Sequence, residues 1–188
     1  AELNRTHENV GYLPGLKLPE RIVGTTDLEQ AARGADLIVV ATPSHATRDL
    51  LAKAVPHLPR HVPIVTVAKG IENETLLTMT EVLEQGLPEE MHPWVAVLSG
   101  PSFAREMVLK MPTVVTIASR WEKLAQKCQR IFTSEYFRTY TSTDVVGVQR
   151  DKWTVDPFAA LRKGGYIYGR GAQDDKDNLA SCLMVMLL

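Results

Sequence analysis

The sequence has no excess of charge of either sign. Its 21 lysine and arginine residues stand against 22 aspartate and glutamate, a formal net charge of −1 over 188 residues. No broad positive field is therefore available to gather nucleic-acid phosphates or an anionic membrane surface, and neither is expected as a partner. Long apolar runs are also missing: stretches such as Leu37 to Ala41 and Leu183 to Leu188 fall far short of the roughly 20 residues that span a bilayer. Cysteine is scarce. Cys128 and Cys182 lie far apart with no CxxC pairing, which argues against a disulfide framework or a structural zinc site and fits a reducing cytoplasm. The opening AELNRTHENVGYLPG has neither the basic start nor the apolar centre of a signal peptide. There is no internal repeat and no low-complexity tract.

What is present is a hydrophobic content of 45%, enough for one good core, or for one domain plus an appendage, in a soluble globular chain. Short apolar runs alternate with helix-like stretches, the mark of βαβ units and a parallel sheet. The expected strands are Leu37 to Thr42, Pro63 to Ala68, Trp94 to Ser99 and Thr113 to Ala118, each rich in β-branched residues. Their near-continuous apolar character implies helices on both faces. Between them, Asp27 is placed to cap a helix stopping at Gly34, and Asn73 or Glu74 to open one stopping at Gly86. Ser119 with Glu122 reads as a capping box for a helix running to Phe132.

In an open parallel sheet, ligands bind beyond the carboxyl ends of the strands. Three segments occupy such places: Pro43-Ser44-His45, Lys69-Gly70-Ile71-Glu72 and Gly100-Pro101-Ser102-Phe103-Ala104. Lys69 would set a compact cation at that edge, and Gly70 would let backbone approach closely. Gly100 and Pro101 would turn the chain into a helix whose first amides, with the Ser102 hydroxyl, suit an anion. Taken alone, such a lysine is more often a solvated side chain and such a Gly-Pro-Ser turn more often a plain connector.

The strings ENVGYLPGLKLPERIVGTTDL, ADLIVVATPSHATRD, VAKGIENETLLTMTEVL, AVLSGPSFAREM and PTVVTIAS run in the order found in NAD(P)-dependent glycerol-3-phosphate dehydrogenases, and the sequence resembles that family from about Asn4 to Val148. The resemblance implies an α/β fold: a partial Rossmann-like parallel sheet with helices on both faces, occupying 1–148 as an incomplete dinucleotide-binding domain. It also implies hydride transfer between NAD(P)H and dihydroxyacetone phosphate giving sn-glycerol 3-phosphate. That activity belongs to glycerophospholipid metabolism in the cytoplasm, with a homodimer as a candidate assembly. Carried over position by position, Lys69, Gly100 and Ser102 would bind the phosphorylated substrate, while Pro43, Ser44, Lys69 and Ala104 would lie against NAD or NADP. The family's glycine-rich GxGxxG turn and its proton-accepting lysine have no counterpart in this sequence, so no catalytic base is assigned.

From about Gln149 the texture changes to charge and glycine, with no strong strand expected before Tyr166. The stretch 142–188, and above all WTVDPFAALRKGGYIYGRGAQDDKDN, resembles dinuclear zinc aminoacylases and carboxypeptidases, so 149–188 is expected to be a metallopeptidase-like appendage. That resemblance puts Asp174 in the place of a metal-bridging aspartate and Asp144 in that of an earlier motif aspartate. Ser142 stands where a histidine ligand is required, and a hydrolytic zinc site needs about three protein ligands per ion. Asp174 and Asp175 are therefore read as a solvated acidic turn, with zinc confined to the alternative reading.

The remaining candidates have plainer explanations. His57 and His61 have helical ligand spacing, but Pro59 between them breaks the helix, so both are expected in loops. Trp94, Trp121 and Trp153 are expected to pack as core aromatics. Arg138 and Tyr140 would lie in a last strand or its exit.

Overall fold

The computed structural model describes residues 2–72, 75–145, 161–163 and 166–168. The chain divides into two compact units, Ala1–Val145 and Val146–Leu188. In the first unit a five-stranded sheet runs in the order β1 (Ile38–Val40), β2 (Ile64–Thr66), β3 (Val95–Ser99), β4 (Thr113–Ala118) and β5 (Phe137–Ser142). The four expected strands are all present, some trimmed by a few residues, and FRTYTS forms the fifth. β1, β2 and β3 are mutually parallel, as are β4 and β5. The α/β, Rossmann-like character holds, with one departure from a purely parallel sheet: β4 pairs antiparallel with β3, Ser99 opposite Thr116 and Val97 opposite Ala118.

The helices are α1 (Glu2–Thr6), α2 (Leu28–Ala32), α3 (Ser44–Ala54), α4 (Met79–Gly86), α5 (Ala104–Val108) and α6 (Glu122–Phe132). Side chains alternate across a strand, so one strand feeds two cores. Ile64 and Val95 join Ala32, Leu51, Leu83, Leu87 and Met91 on the face covered by α2, α3 and α4. Their neighbours Val65 and Ala96 join Leu98, Val115, Ile117, Leu124, Ala125 and Cys128 on the face covered by α6. Trp94 packs against this second cluster. Trp121 instead stands 39% exposed at the start of α6, so its expected core role is corrected.

Two helix starts also differ from expectation. Asp27 does cap α2, accepting from the Gln30 amide at 3.1 Å. The helix ending at Gly86 begins only at Met79, where Thr78 and Glu81 form a reciprocal capping box. Asn73 and Glu74 lie outside the described residues, and Leu76 nearby holds a left-handed φ of 57° that no helix start tolerates. The predicted Ser119–Glu122 box is absent, and Trp121 caps α6 without a side-chain bond. The Ser119 hydroxyl is buried and donates to the Val95 carbonyl at 2.9 Å, joining β4's exit to β3. A buried carbonyl left unmatched costs more than a frayed helix turn, so the sheet takes the hydroxyl.

In the second unit β6 (Leu161–Lys163) and β7 (Tyr166–Tyr168) form an antiparallel pair with Lys163 opposite Tyr166. β6 precedes Tyr166, where the sequence signalled no strand. Trp153, Asp174, Asp175, Cys182 and the apolar run Leu183 to Leu188 lie outside the described residues.

Gly86 shows how tightly the first core is closed. A Cβ placed on it would overlap Leu51 Cδ2 and stand 3.2 Å from Leu51 Cγ, where α4 leans on the buried face of α3. Gly86→Ala is expected to cost about 1–3 kcal/mol by overpacking, seen as a lower urea midpoint at unchanged m. Gly11, whose added Cβ would meet nothing closer than 3.9 Å, is the control, and Gly11→Ala should shift stability by less than about 0.5 kcal/mol. Equal midpoints for the two variants would mean that α3 and α4 do not close in this way.

Candidate functional site

Because β1, β2 and β3 are parallel, their carboxyl ends share one rim, and the three loops singled out in the sequence leave the sheet there. The first is shaped by hydroxyls. Thr42 and Thr47 share a hydrogen bond of 3.1 Å, and Thr47, fully buried, donates to the Pro43 carbonyl at 3.2 Å. Pro43 is the residue before α3 and provides no side-chain cap, while Ser44 begins the helix half-buried. At the start of α3 the Ala46 amide donates to the Pro43 carbonyl at 2.9 Å, and no side chain caps the amides before it.

The second loop carries Lys69, exposed at the end of β2. Its ammonium donates to the Gly100 carbonyl at 2.7 Å and lies 5.9 Å from the centre of the Phe103 ring. The Ser102 hydroxyl donates to that same carbonyl at 3.4 Å, a long and weak bond. Lys69, Gly100 and Ser102 are thus gathered at a single oxygen atom. An ammonium has three donors, so the Gly100 bond leaves two N–H directions for another group. Ala104, exposed, opens the short helix α5 just beyond.

Gly100 has a role the sequence does not reveal. Its φ is +142°, and an added Cβ would stand 3.0 Å from both the Val114 carbonyl oxygen and the Val115 Cα. Only a residue without a side chain lets β3's exit lie this close to β4. Gly70 also has a positive φ, +99°, but with open space around it, so its glycine is required by conformation alone.

Sequence reasoning missed Arg48 and the use made of Glu72. Arg48, in the middle of α3, grips Glu72 with a two-pronged bond, Nε and Nη2 each at 2.8 Å, and Nη2 also reaches Gln85 of α4 at 3.0 Å. The Thr75 hydroxyl donates to the same carboxylate. The partners are 24 residues apart, and no local spacing announces such a pair. Arg48 foremost, then Thr75, hold the Glu72 carboxyl down to about 2 from an ordinary 4.5.

The other candidates lie elsewhere. His57 ends a 3-10 turn at Val55–His57, and His61 rests 6.1 Å from the Trp94 ring. Arg138 and Tyr140 lie on β5 in a cation–π contact of 5.6 Å. Among the described residues no group of three or more His, Cys, Asp or Glu could hold a metal ion, and Asp174 falls outside them. Nor is any described helix long and apolar enough to cross a membrane.

Residues 1–125 match the family model described as the NAD-dependent glycerol-3-phosphate dehydrogenase N-terminus. Residues 139–187 match that of peptidase family M20/M25/M40. The chain is 64% identical over 147 residues to an NAD(P)+ glycerol-3-phosphate dehydrogenase of Myxococcus xanthus, covering 78% of this chain and 44% of the relative. It is 48% identical to the enzyme of that name from Leptospira biflexa, again over 78% of this chain and 44% of the relative. The chain thus spans less than half the length of these curated relatives. Among solved structures, a glycerol-3-phosphate dehydrogenase of Coxiella burnetii superposes with a TM-score of 0.68 at 26% identity, over 76% of this chain and 43% of that one.

The Arg48–Glu72 pair predicts an acid-side signature. Glu72's folded value is depressed, so its contribution is complete above about pH 4.5 and is lost as pH falls toward about 2. Urea midpoints across that interval should fall less steeply for Glu72→Gln than for the unmodified chain. Parallel slopes would show that the pair is not formed in solution.

Proposed function

The chain belongs to the NAD-dependent glycerol-3-phosphate dehydrogenase N-terminal family, and from that premise we propose that it is the dinucleotide-binding side of an enzyme interconverting dihydroxyacetone phosphate and sn-glycerol 3-phosphate with NAD or NADP. The observation that carries this reading is the meeting of Lys69 and Ser102 on the Gly100 carbonyl at the rim of β2 and β3. A small anionic, oxygen-rich molecule needs a fixed cation, a hydroxyl and close backbone, and these three are what the rim offers. The cytoplasm, supply of phospholipid precursors and a homodimer go with the same reading.

The residues present fit one end of a dinucleotide. The uncapped start of α3 at Ser44, the exposed Pro43 and Ala104, and the Lys69 ammonium border the same rim. The glycine-rich turn that cradles a pyrophosphate in Rossmann folds does not occur in this sequence. When bound, the nicotinamide supplies or takes the hydride. Lys69 holds the substrate oxygen and steadies negative charge developing on it, Ser102 orients the substrate by a hydrogen bond, and Pro43, Ser44 and Ala104 give the cofactor a surface to lie against.

The peptidase-family match at 139–187 supports a second reading, a zinc hydrolase fragment with Asp174 as bridging ligand. Metal analysis of the purified chain separates the two, since stoichiometric zinc would favour the hydrolase and its absence would dismiss it.

Two measurements test the dehydrogenase reading. The 188-residue chain alone, given NADPH and dihydroxyacetone phosphate, should oxidise no more than a trace of cofactor, because no base for proton transfer is assigned within it. Residues 1–145 exchanged for the matching segment of the Myxococcus xanthus relative should give a chimera that oxidises NADPH when dihydroxyacetone phosphate is added. Lys69→Ala should cost that chimera at least about a hundredfold in kcat/KM, the usual scale for losing one charge-stabilising donor. A folded but inactive chimera, or one indifferent to Lys69→Ala, would refute the assignment.

A further inference from the structure

Lys69 has little of its own to hold it. β2 ends at Thr66, Lys69 is exposed, and Gly70 after it turns through a positive φ with nothing within 4 Å of where a Cβ would stand. A four-carbon stem on such a backbone loses rotamer entropy when fixed, which one exposed hydrogen bond does little more than offset. The order comes from the residues beyond Gly70. Ile71 bridges to Thr78, the Glu72 amide donates to the Leu77 carbonyl at 2.8 Å, and the Leu76 amide returns to the Glu72 carbonyl at 2.9 Å. Among the described residues this small loop has a single strong tie to the body of the domain: the Glu72 carboxylate, its side chain only 14% exposed, clamped by the Arg48 fork. Arg48 sits between the buried Thr47 and Leu51 on α3 and is braced by Gln85 on α4.

We propose that Arg48 and Glu72 are a positioning pair for Lys69, anchoring the loop that carries its ammonium and keeping the Glu72 carboxylate away from it. The second effect is electrostatic. Glu72 lies three residues from Lys69, and without Arg48 its carboxylate would be free to pair with that ammonium and compete with any anionic ligand. The bidentate guanidinium bond, with Thr75 on the remaining lone pairs, leaves the Lys69 charge uncompensated and open to substrate. The consequence for substrate rests on the reading of Lys69 as a substrate-holding cation, whereas the positioning itself does not.

The test is reductive methylation of the lysines of the whole 188-residue chain with isotope-labelled methyl groups, read by NMR. The Lys69 signal is identified by its loss in Lys69→Arg. A dimethylated ammonium keeps one N–H, enough for the Gly100 bond. Arg48→Met and Glu72→Gln should each move the Lys69 resonance to the position of an exposed lysine such as Lys53. The signals of Lys110 and Lys127, which lie over Tyr136 and Trp94, should stay in place as reporters of the fold. A pair that only stabilises the domain would lower the unfolding midpoint and leave the Lys69 signal where it was, which overturns the proposal. Should either variant unfold, the Lys110 and Lys127 signals collapse too, and Arg48→Lys decides. That variant keeps the charge without the fork, so a displaced Lys69 signal supports the pair and an unmoved one overturns it. Glycerol 3-phosphate added to the parent chain separates the two claims: a Lys69 signal indifferent to it defeats the substrate reading, while the variants still judge the pair.

Discussion

The missing side chain of Gly100 is the constraint on which the rim is built. With 3.0 Å between the place of its Cβ and two backbone atoms of β4, any other residue would push β3's exit away from its neighbour. The Gly100 carbonyl would move with it, and that oxygen accepts from both Lys69 and Ser102. A packing contact between two strands thus sets the meeting point of a cation and a hydroxyl that arrive from two different loops. Conformation and chemistry are joined at one residue, because the φ of +142° that aims the carbonyl is also one that side chains rarely permit.

The reversal of β4 has the same destination. A parallel neighbour would require a crossover carrying the chain to the far end of the sheet, whereas an antiparallel one lets it turn back at the end where β3 finishes. The segment from Gly100 to Met111, with α5 inside it, therefore stays at the carboxyl rim of β1, β2 and β3. Thr113 begins β4 there, and its amide is taken by the Tyr136 carbonyl at the entrance to β5. Beneath the rim, alternation along β2 and β3 divides the apolar side chains between two cores, Ile64 and Val95 to one and Val65 and Ala96 to the other. Three residues of β2 suffice because helices close both faces.

Strand positions were legible because burial on both faces, complete in β2, leaves continuous apolar runs such as PIVTVA, and β1 and β4 keep such runs although Val39 and Val114 are exposed. The convergence of Lys69 with the Gly100 segment was legible too, since parallel strands place their exits together whatever the details of the loops. Strand direction was not. Nothing in AVLSGPSFAREM or PTVVTIAS says that the chain turns back, because a strand's apolar pattern is the same in either direction. The capping errors have a related cause. Ser119 has the spacing of a cap, but its hydroxyl is claimed by the Val95 carbonyl, a partner 24 residues away. Arg48 and Glu72 form the clearest case: on a sequence they are two surface charges, and only packing α3 against the loop after β2 makes them one fork.

That fork also bears on the chemistry proposed for the rim. Oxidation of an alcohol requires a group that takes the hydroxyl proton, with a pKa near working pH. Of the side chains gathered around Gly100, Lys69 and Ser102 are there as donors. The carboxylate nearest in sequence is Glu72, and Arg48 and Thr75 hold it down to about 2. A base that weak would capture a proton far too rarely to serve. By engaging Glu72 fully, Arg48 gives up a candidate base and leaves Lys69 an uncompensated cation. The described rim therefore gathers donors on the Gly100 carbonyl, and under the proposed dehydrogenase reading proton transfer would be a task for a group other than these.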